Sequence, residues 1–161
     1  MKNLNDLFEH EIKDIYSAEK QLTEAFQTLI DESSDSKLNT MLIEYRKKTY
    51  SHFTSFKEIT DELDINPSNT NCEAMEGLIK EWKNLLEHDL SPNVKDAGLI
   101  ARVQRIMHYE ISAYGTAVRY AKELGMETIS SKLQKLLDDK YEIDTTLGKM
   151  AKERINEEAI A

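Results

Sequence analysis

The chain is short of the residues that punctuate structure and of those that tie it together. Among 161 residues there are two prolines, five glycines and a single cysteine. So few turn-formers argue against a sheet protein with many reversals, and one cysteine excludes an intrachain disulfide and a cysteine-rich metal site. No stretch of about 18 apolar residues is available to span a bilayer, and the first residues form no secretion-type apolar run. With 21 basic against 30 acidic side chains the net charge is -9. That balance opposes a broad electrostatic footprint on nucleic acid or an anionic membrane. Met1 to Glu11 carries one lysine, so no basic arm compensates locally. No glycine-rich phosphate loop and no Ser/His/Asp grouping occurs. The expectation is a cytoplasmic protein with neither nucleic acid nor membrane as partner.

What is present is long-range helical periodicity. Hydrophobic residues make up 40% and charged residues 32%, a mixture suited to amphipathic helices around one core, and the length calls for a single domain over 1–161 with its core at 4–155. Ile100, Val103, Met107, Glu110, Tyr114, Ala117 and Ala121 fall on one helical face, and Glu110 is the only ionisable member. A carboxylate at a core position demands a partner.

The periodicity predicts a first helix from about Leu4 to Asp31, capped by Asn3 or Asn5, with Phe8, Ile12, Ile15, Glu19, Leu22, Phe26 and Leu29 inward. The turn-forming Ser33-Ser34-Asp35-Ser36 separates it from a second helix, Lys37 to Leu63, with Leu38, Met41, Tyr45, Lys48, His52, Phe56, Ile59 and Leu63 on one face. After the irregular 66–71, a shorter piece from Cys72 to Leu90 reads as a lid containing Trp82. A third long helix follows from Val94 to Leu124, ended by Gly125. A fourth runs from Glu127 to Asn156 with Ile129, Leu133, Leu136, Lys140, Ile143, Leu147 and Met150 inward. Four long helices with one long crossover between the second and third describe an all-α, ferritin-like four-helix bundle with a short extra helix in that crossover.

Each long helix places one ionisable residue near its midpoint: Glu19, Lys48, Glu110 and Lys140. Two acids and two bases sum to zero, which predicts a buried ion-pair cluster. His52 and Asp144 lie one turn beyond the lysines. Tyr45, Tyr114 and Tyr141 read as core tyrosines whose hydroxyls serve the cluster, whereas His10 and His88 read as exposed and His108 and Tyr109 fall on other faces.

Four stretches carry a family resemblance: D-L-F-E-H-E-I-K-D-I-Y-S-A-E-K-Q-L at 6–22, N-C-E-A-M-E-G-L-I at 71–79, D-A-G-L-I-A at 96–101 and H-Y-E-I-S-A-Y-G-T at 108–116. They closely resemble the YciE/YciF family of bacterial stress-associated ferritin-like proteins. The resemblance implies a rubrerythrin-like bundle, often a homodimer, with a carboxylate-bridged di-iron site. It puts Glu19, His52, Glu110 and Asp144 at or near ligand positions. It also exposes departures. Family members usually carry Glu-Glu where this chain has Lys47-Lys48, a glutamate at the position of Met107, and a glutamate in place of Lys140. Two hard cations need several anionic oxygens. A swap of carboxylate for ammonium changes the local charge by two units, each worth roughly 4 kcal/mol at about 4 Å and an effective dielectric near 20. The expectation is therefore a non-catalytic, metal-free or metal-poor protein with Lys48 and Lys140 pairing Glu19 and Glu110. The alternative is an oxidase- or peroxidase-type enzyme holding iron or manganese on Glu19, His52, Glu110 and Asp144.

Overall fold

The computed structural model describes residues 1–156 and 159–160, and over these the chain is helical. The helices are α1 (Leu4–Glu32), α2 (Ser36–Glu62), α3 (Glu73–Leu86), α4 (Pro92–Glu123) and α5 (Glu127–Met150), the last running into a π-helical turn at Ala151–Ile155. No helix among the described residues is long and apolar enough to cross a membrane.

Local chemistry sets most of the ends. Asn3, not Asn5, caps α1 by accepting from the Asp6 N–H, and Asp35 caps α2 through Lys37 and Leu38. Two helices close in Schellman motifs. After α4, Gly125 adopts φ +72, its N–H reaches Lys122 and the Met126 N–H reaches Ala121. After α2, Asp64 takes the same left-handed role at φ 54, with Ile65 N–H bonded to Thr60, because a short polar side chain tolerates that backbone. Three ends differ from the sequence expectation. α3 stops at Leu86 rather than Leu90, α4 begins at Pro92 because proline at the first helical position presets φ, and α5 changes winding at Ala151 instead of continuing regularly to Asn156.

The four long helices pack in a ring, α1 against α2 and α4, α5 against α4 and α2, so α2 and α4 lie on one diagonal and α1 and α5 on the other. Asp96, in the first turns of α4, accepts the backbone N–H groups of Ser34 (2.8 Å) and Asp35 (2.8 Å) at the entrance to α2. Both helices therefore start at the same end of the bundle. The chain leaving α2 must travel back along roughly 40 Å of helix before α4 can begin, which is why the crossover is long.

α3 occupies that crossover and lies across α1 and α4. It buries Met75, Ile79 and Trp82, so Trp82 is a core residue of the lid. Its start is pinned to α1. Ser17 Oγ accepts the Cys72 N–H at 2.9 Å, Gln21 donates to Asn71 and to the Cys72 carbonyl, and Cys72 Sγ, which accepts from the Met75 N–H, caps the helix. A Cβ at Gly98 would stand 2.7 Å from Leu85 Cδ2, so glycine in α4 lets α3 approach closely.

Asp96 is 2% exposed and its two acceptor bonds join the start of α4 to the α1–α2 turn. Asp96→Ala leaves two backbone donors without their partner and is expected to lower stability by about 1–3 kcal/mol. Chemical denaturation measures it, and a change under about 0.5 kcal/mol would show that water replaces the carboxylate at no loss.

Candidate functional site

The apolar interior falls into two clusters, one around Leu22, Phe26, Tyr45, Met107 and Ile143, the other around Ile12, Ile15, Phe56, Tyr114 and Leu133. Between them lies a polar layer. Periodicity turns Glu19 of α1, Glu110 of α4 and Lys140 of α5 inward at this level, each at most 2% exposed. Lys140 Nζ donates to Glu19 Oε1 at 2.7 Å and to Glu110 Oε1 at 2.8 Å. From one side the Tyr114 hydroxyl donates to Glu19 Oε1 at 2.7 Å, and from the other the Tyr45 hydroxyl donates to Glu110 Oε2 at 3.0 Å. An unbroken chain results: Tyr114, Glu19, Lys140, Glu110, Tyr45. Edge-on ring pairs flank it, Phe56 with Tyr114 and Phe26 with Tyr45, and Lys140 Nζ stands 5.5 Å from the Tyr114 ring.

The structure moves Lys48 out of this group, a correction to the sequence reading. Its side chain is 40% exposed and pairs with Glu142 at 2.8 Å and Asp139 at 3.6 Å. Thr49 takes the inward position, fully buried. From Tyr45, a step of three residues rotates about 60° short of a full turn and a step of four about 40° beyond it, and a long stem carries its charge outward whenever water is in reach. Tyr141 is likewise corrected, being 52% exposed because it follows inward-facing Lys140 by about 100°. Asp144 also lies outside the cluster. Its Oδ1 faces His108 Nε2 at 3.2 Å. His52 is 3% exposed, with Nε2 3.0 Å from Asp139 Oδ2 and Nδ1 buried without a hydrogen bond. Asp139 and Glu142 escaped the sequence reading, since only the inward face of α5 had been followed.

With one lysine rather than two, the cluster holds two carboxyls and one ammonium. Burial pushes Glu19 up, but the charge of Lys140 and the hydrogen bonds from Lys140 and Tyr114 outweigh it and hold Glu19 below the ordinary glutamate value. Burial pushes Glu110 up as well. There Lys140 only partly offsets it, the Glu19 carboxylate adds to it, and Glu110 stands at about 8. Burial alone would lower Lys140, yet Glu110 and Glu19 hold it above the ordinary lysine value. At neutral pH the charges are therefore Glu19 negative, Lys140 positive and Glu110 neutral: a proton supplies the balance that a second lysine was expected to give. Burial and the charge of Lys140 lower His52, so its imidazole is neutral too.

Residues 3–160 match the family described as a domain of unknown function, DUF892. Protein YciF of Escherichia coli K12 is 34% identical over 160 residues, 99% of this chain and 96% of that protein. The crystal structure of the E. coli stress protein YciF superposes with a TM-score of 0.91, covering 97% of this chain and 99% of that one. YcfI from Rhodopseudomonas palustris, 32% identical, superposes with a TM-score of 0.88 over 92% of this chain and 94% of its own.

Two predictions follow from the charges. Lys140→Ala removes the sole ammonium from two buried carboxyls and is expected to cost about 3–5 kcal/mol, whereas Lys48→Ala, which breaks solvent-screened pairs, stays within roughly 1 kcal/mol. Equal losses in urea denaturation would contradict the placement of the two lysines. The second concerns pH. A carboxyl raised from 4.5 to about 8 in the fold binds its proton more tightly when folded, so its stabilisation is full below 4.5 and is lost as pH rises through about 8. His52, lowered from 6.5, acts oppositely but only below 6.5. Between pH 6.5 and 8 stability should thus fall with pH, and Glu110→Gln, neutral throughout, should flatten that slope. Parallel profiles for the two proteins would refute the assignment. With residues 3–160 matching its model, the chain belongs to the DUF892 family, and its similarity to YciF extends over nearly the full length.

Proposed function

We propose that this protein is a ferritin-like bundle whose metal site has been replaced by an internal salt bridge, and that it serves in stress physiology through structure or binding rather than catalysis. The observation that carries the reading is Lys140 Nζ lying between Glu19 and Glu110, within 2.8 Å of both. A di-metal centre needs bridging carboxylates and Glu-x-x-His pairs facing one another. Here an ammonium occupies the space between the two inward carboxyls, and Asp144 and His52 are engaged with His108 and Asp139. Among the described residues no group of three or more His, Cys, Asp and Glu side chains is arranged to hold a metal ion. The donor set does not fit iron or manganese.

The similarity to a stress protein supports the physiological setting, a net charge of -9 supports a role without nucleic acid or an anionic membrane as partner, and we place that role in the cytoplasm. We further propose a homodimer. The outer surface of α1 and α2 offers a cleft of about 480 Å³ lined by Ile30, Ile43, Arg46, Lys47 and Tyr50, in which Ile43 and Tyr50 are large exposed apolar side chains of the kind an interface covers.

The test is metal analysis of protein produced in medium supplemented with iron and manganese, with sedimentation equilibrium on the same sample. The expected result is a dimer with well under one metal atom per chain. Occupancy near two atoms per chain would overturn the salt-bridge reading, and a monomer would overturn the dimer.

A further inference from the structure

The same three side chains that make the salt bridge are the reactants of an amide condensation. The geometry points to a covalent bond between Lys140 Nζ and the Glu110 carboxyl carbon, an internal isopeptide that staples α4 to α5. The inference rests on the salt-bridge reading above, since a metal between the carboxyls would displace the amine.

Three features of the site supply what the reaction needs. Lys140 Nζ is 2.8 Å from Glu110 Oε1, and the carboxyl carbon is one bond further. The torsion of a terminal carboxyl is soft, so a small rotation of that group presents its carbon face to the amine, and holding two such groups in contact substitutes for effective concentrations of about 10⁵ M or more. Glu19 Oε1, 2.7 Å from the same nitrogen, is the base that takes the ammonium proton. The Tyr45 hydroxyl, 3.0 Å from Glu110 Oε2, is a preorganised donor for the oxygen that gains charge when the nitrogen adds. The ring pairs above and below are fully buried and shield the reacting groups from bulk water on those two sides.

Two carboxyls around one ammonium in a dry site carry an unbalanced charge unless one is protonated, and a protonated acid is the better electrophile. From that state the lone pair of Nζ, freed when Glu19 takes a proton, forms the new N–C bond to Glu110. The C–OH bond at Oε1 breaks and the hydroxyl departs as water with the proton that Glu19 first took, while Glu19 takes the second surplus proton from the nitrogen and ends as the acid. The balance is Glu110 carboxylic acid, Lys140 ammonium and Glu19 carboxylate in, and amide, water and Glu19 carboxylic acid out. Charge is zero on both sides and no oxidant or reductant is involved. A cleft of about 150 Å³ between α2 and α5, lined by Tyr45, Lys48, Glu142 and Ile143, gives the released water a way out. The product contains no buried ion, which removes the desolvation cost that the separate charges carry.

The experiment is intact mass of the full chain under denaturing conditions, before and after incubation of the folded protein at neutral pH, followed by fragment sequencing. The expected result is a mass one water short of the sequence, with a peptide containing Glu110 joined to one containing Lys140. Lys140→Arg, which cannot form this amide, keeps the full sequence mass. Tyr45→Phe retains the ring and slows the mass change by about a hundredfold. Full mass in the incubated wild-type chain, or a water-loss site that does not join residues 110 and 140, overturns the proposal. Full mass with little metal would leave the salt bridge standing, whereas a metal-loaded chain would remove both.

Discussion

The interaction on which the rest of this structure depends is one ammonium held between two carboxyls in a dry core. Separately, each of these groups would be expelled from such a position. Together they hold one another in place, because Lys140 has a carboxyl oxygen on either side and each carboxyl has a tyrosine hydroxyl behind it, with Glu19 Oε2 alone among the four carboxyl oxygens left without a hydrogen bond. The layer divides the apolar interior in two, and each half contributes one of the tyrosines. Since Glu19, Glu110, Lys140 and Tyr45 come from four different helices, α1, α4, α5 and α2, the layer ties all four long helices together by directional bonds.

Away from that level the helices are held in different ways. α1, α3 and α4 meet through apolar side chains, through close backbone approach as at Gly98, and through polar contacts such as Tyr109 with Asp14 and Ser17 with the Cys72 N–H. The seam between α2 and α5 is polar near the surface: Lys48 with Glu142 and Asp139, His52 with Asp139, and Lys132 with Glu62. Exposed pairs of this kind contribute little each, so the position of α5 against α2 is determined more by the buried layer than by the seam covering it. Asp139 joins the two, reaching His52 on the inside and Lys48 on the outside.

The architecture was legible in the sequence because core rows repeat over seven or more positions. All seven residues assigned to the inner face of α1, and all seven on α4, are buried. Single positions were less legible. On α2 the residues at both three and four steps from Tyr45 were polar, and the longer, charged one was assigned inward where the shorter Thr49 belongs. Once Lys48 left the cluster, charge balance had to come from protonation, which no residue pattern displays. Asp144, two residues from an exposed Glu142, depends on where the neighbouring His108 points. The N-terminal role of Asp96 in the 96–101 motif required knowing that α2 and α4 start at the same end, a tertiary fact.

Stability alone does not account for this arrangement, since a buried ion pair commonly does no better than apolar side chains of the same volume. Register does. Lys140 on α5 must reach Glu19 on the diagonal helix and Glu110 on the adjacent one at the same time, and a shift of α5 by one turn, about 5.4 Å, would strand three ionisable groups in hydrocarbon. An apolar row offers no such penalty, because Leu133, Leu136, Ile143 and Leu147 could be repacked one turn along at modest cost. Where a bundle with metal bridges derives its register from the bonds around a cation, this one derives it from an amine on a four-carbon stem that has to end between two fixed acids.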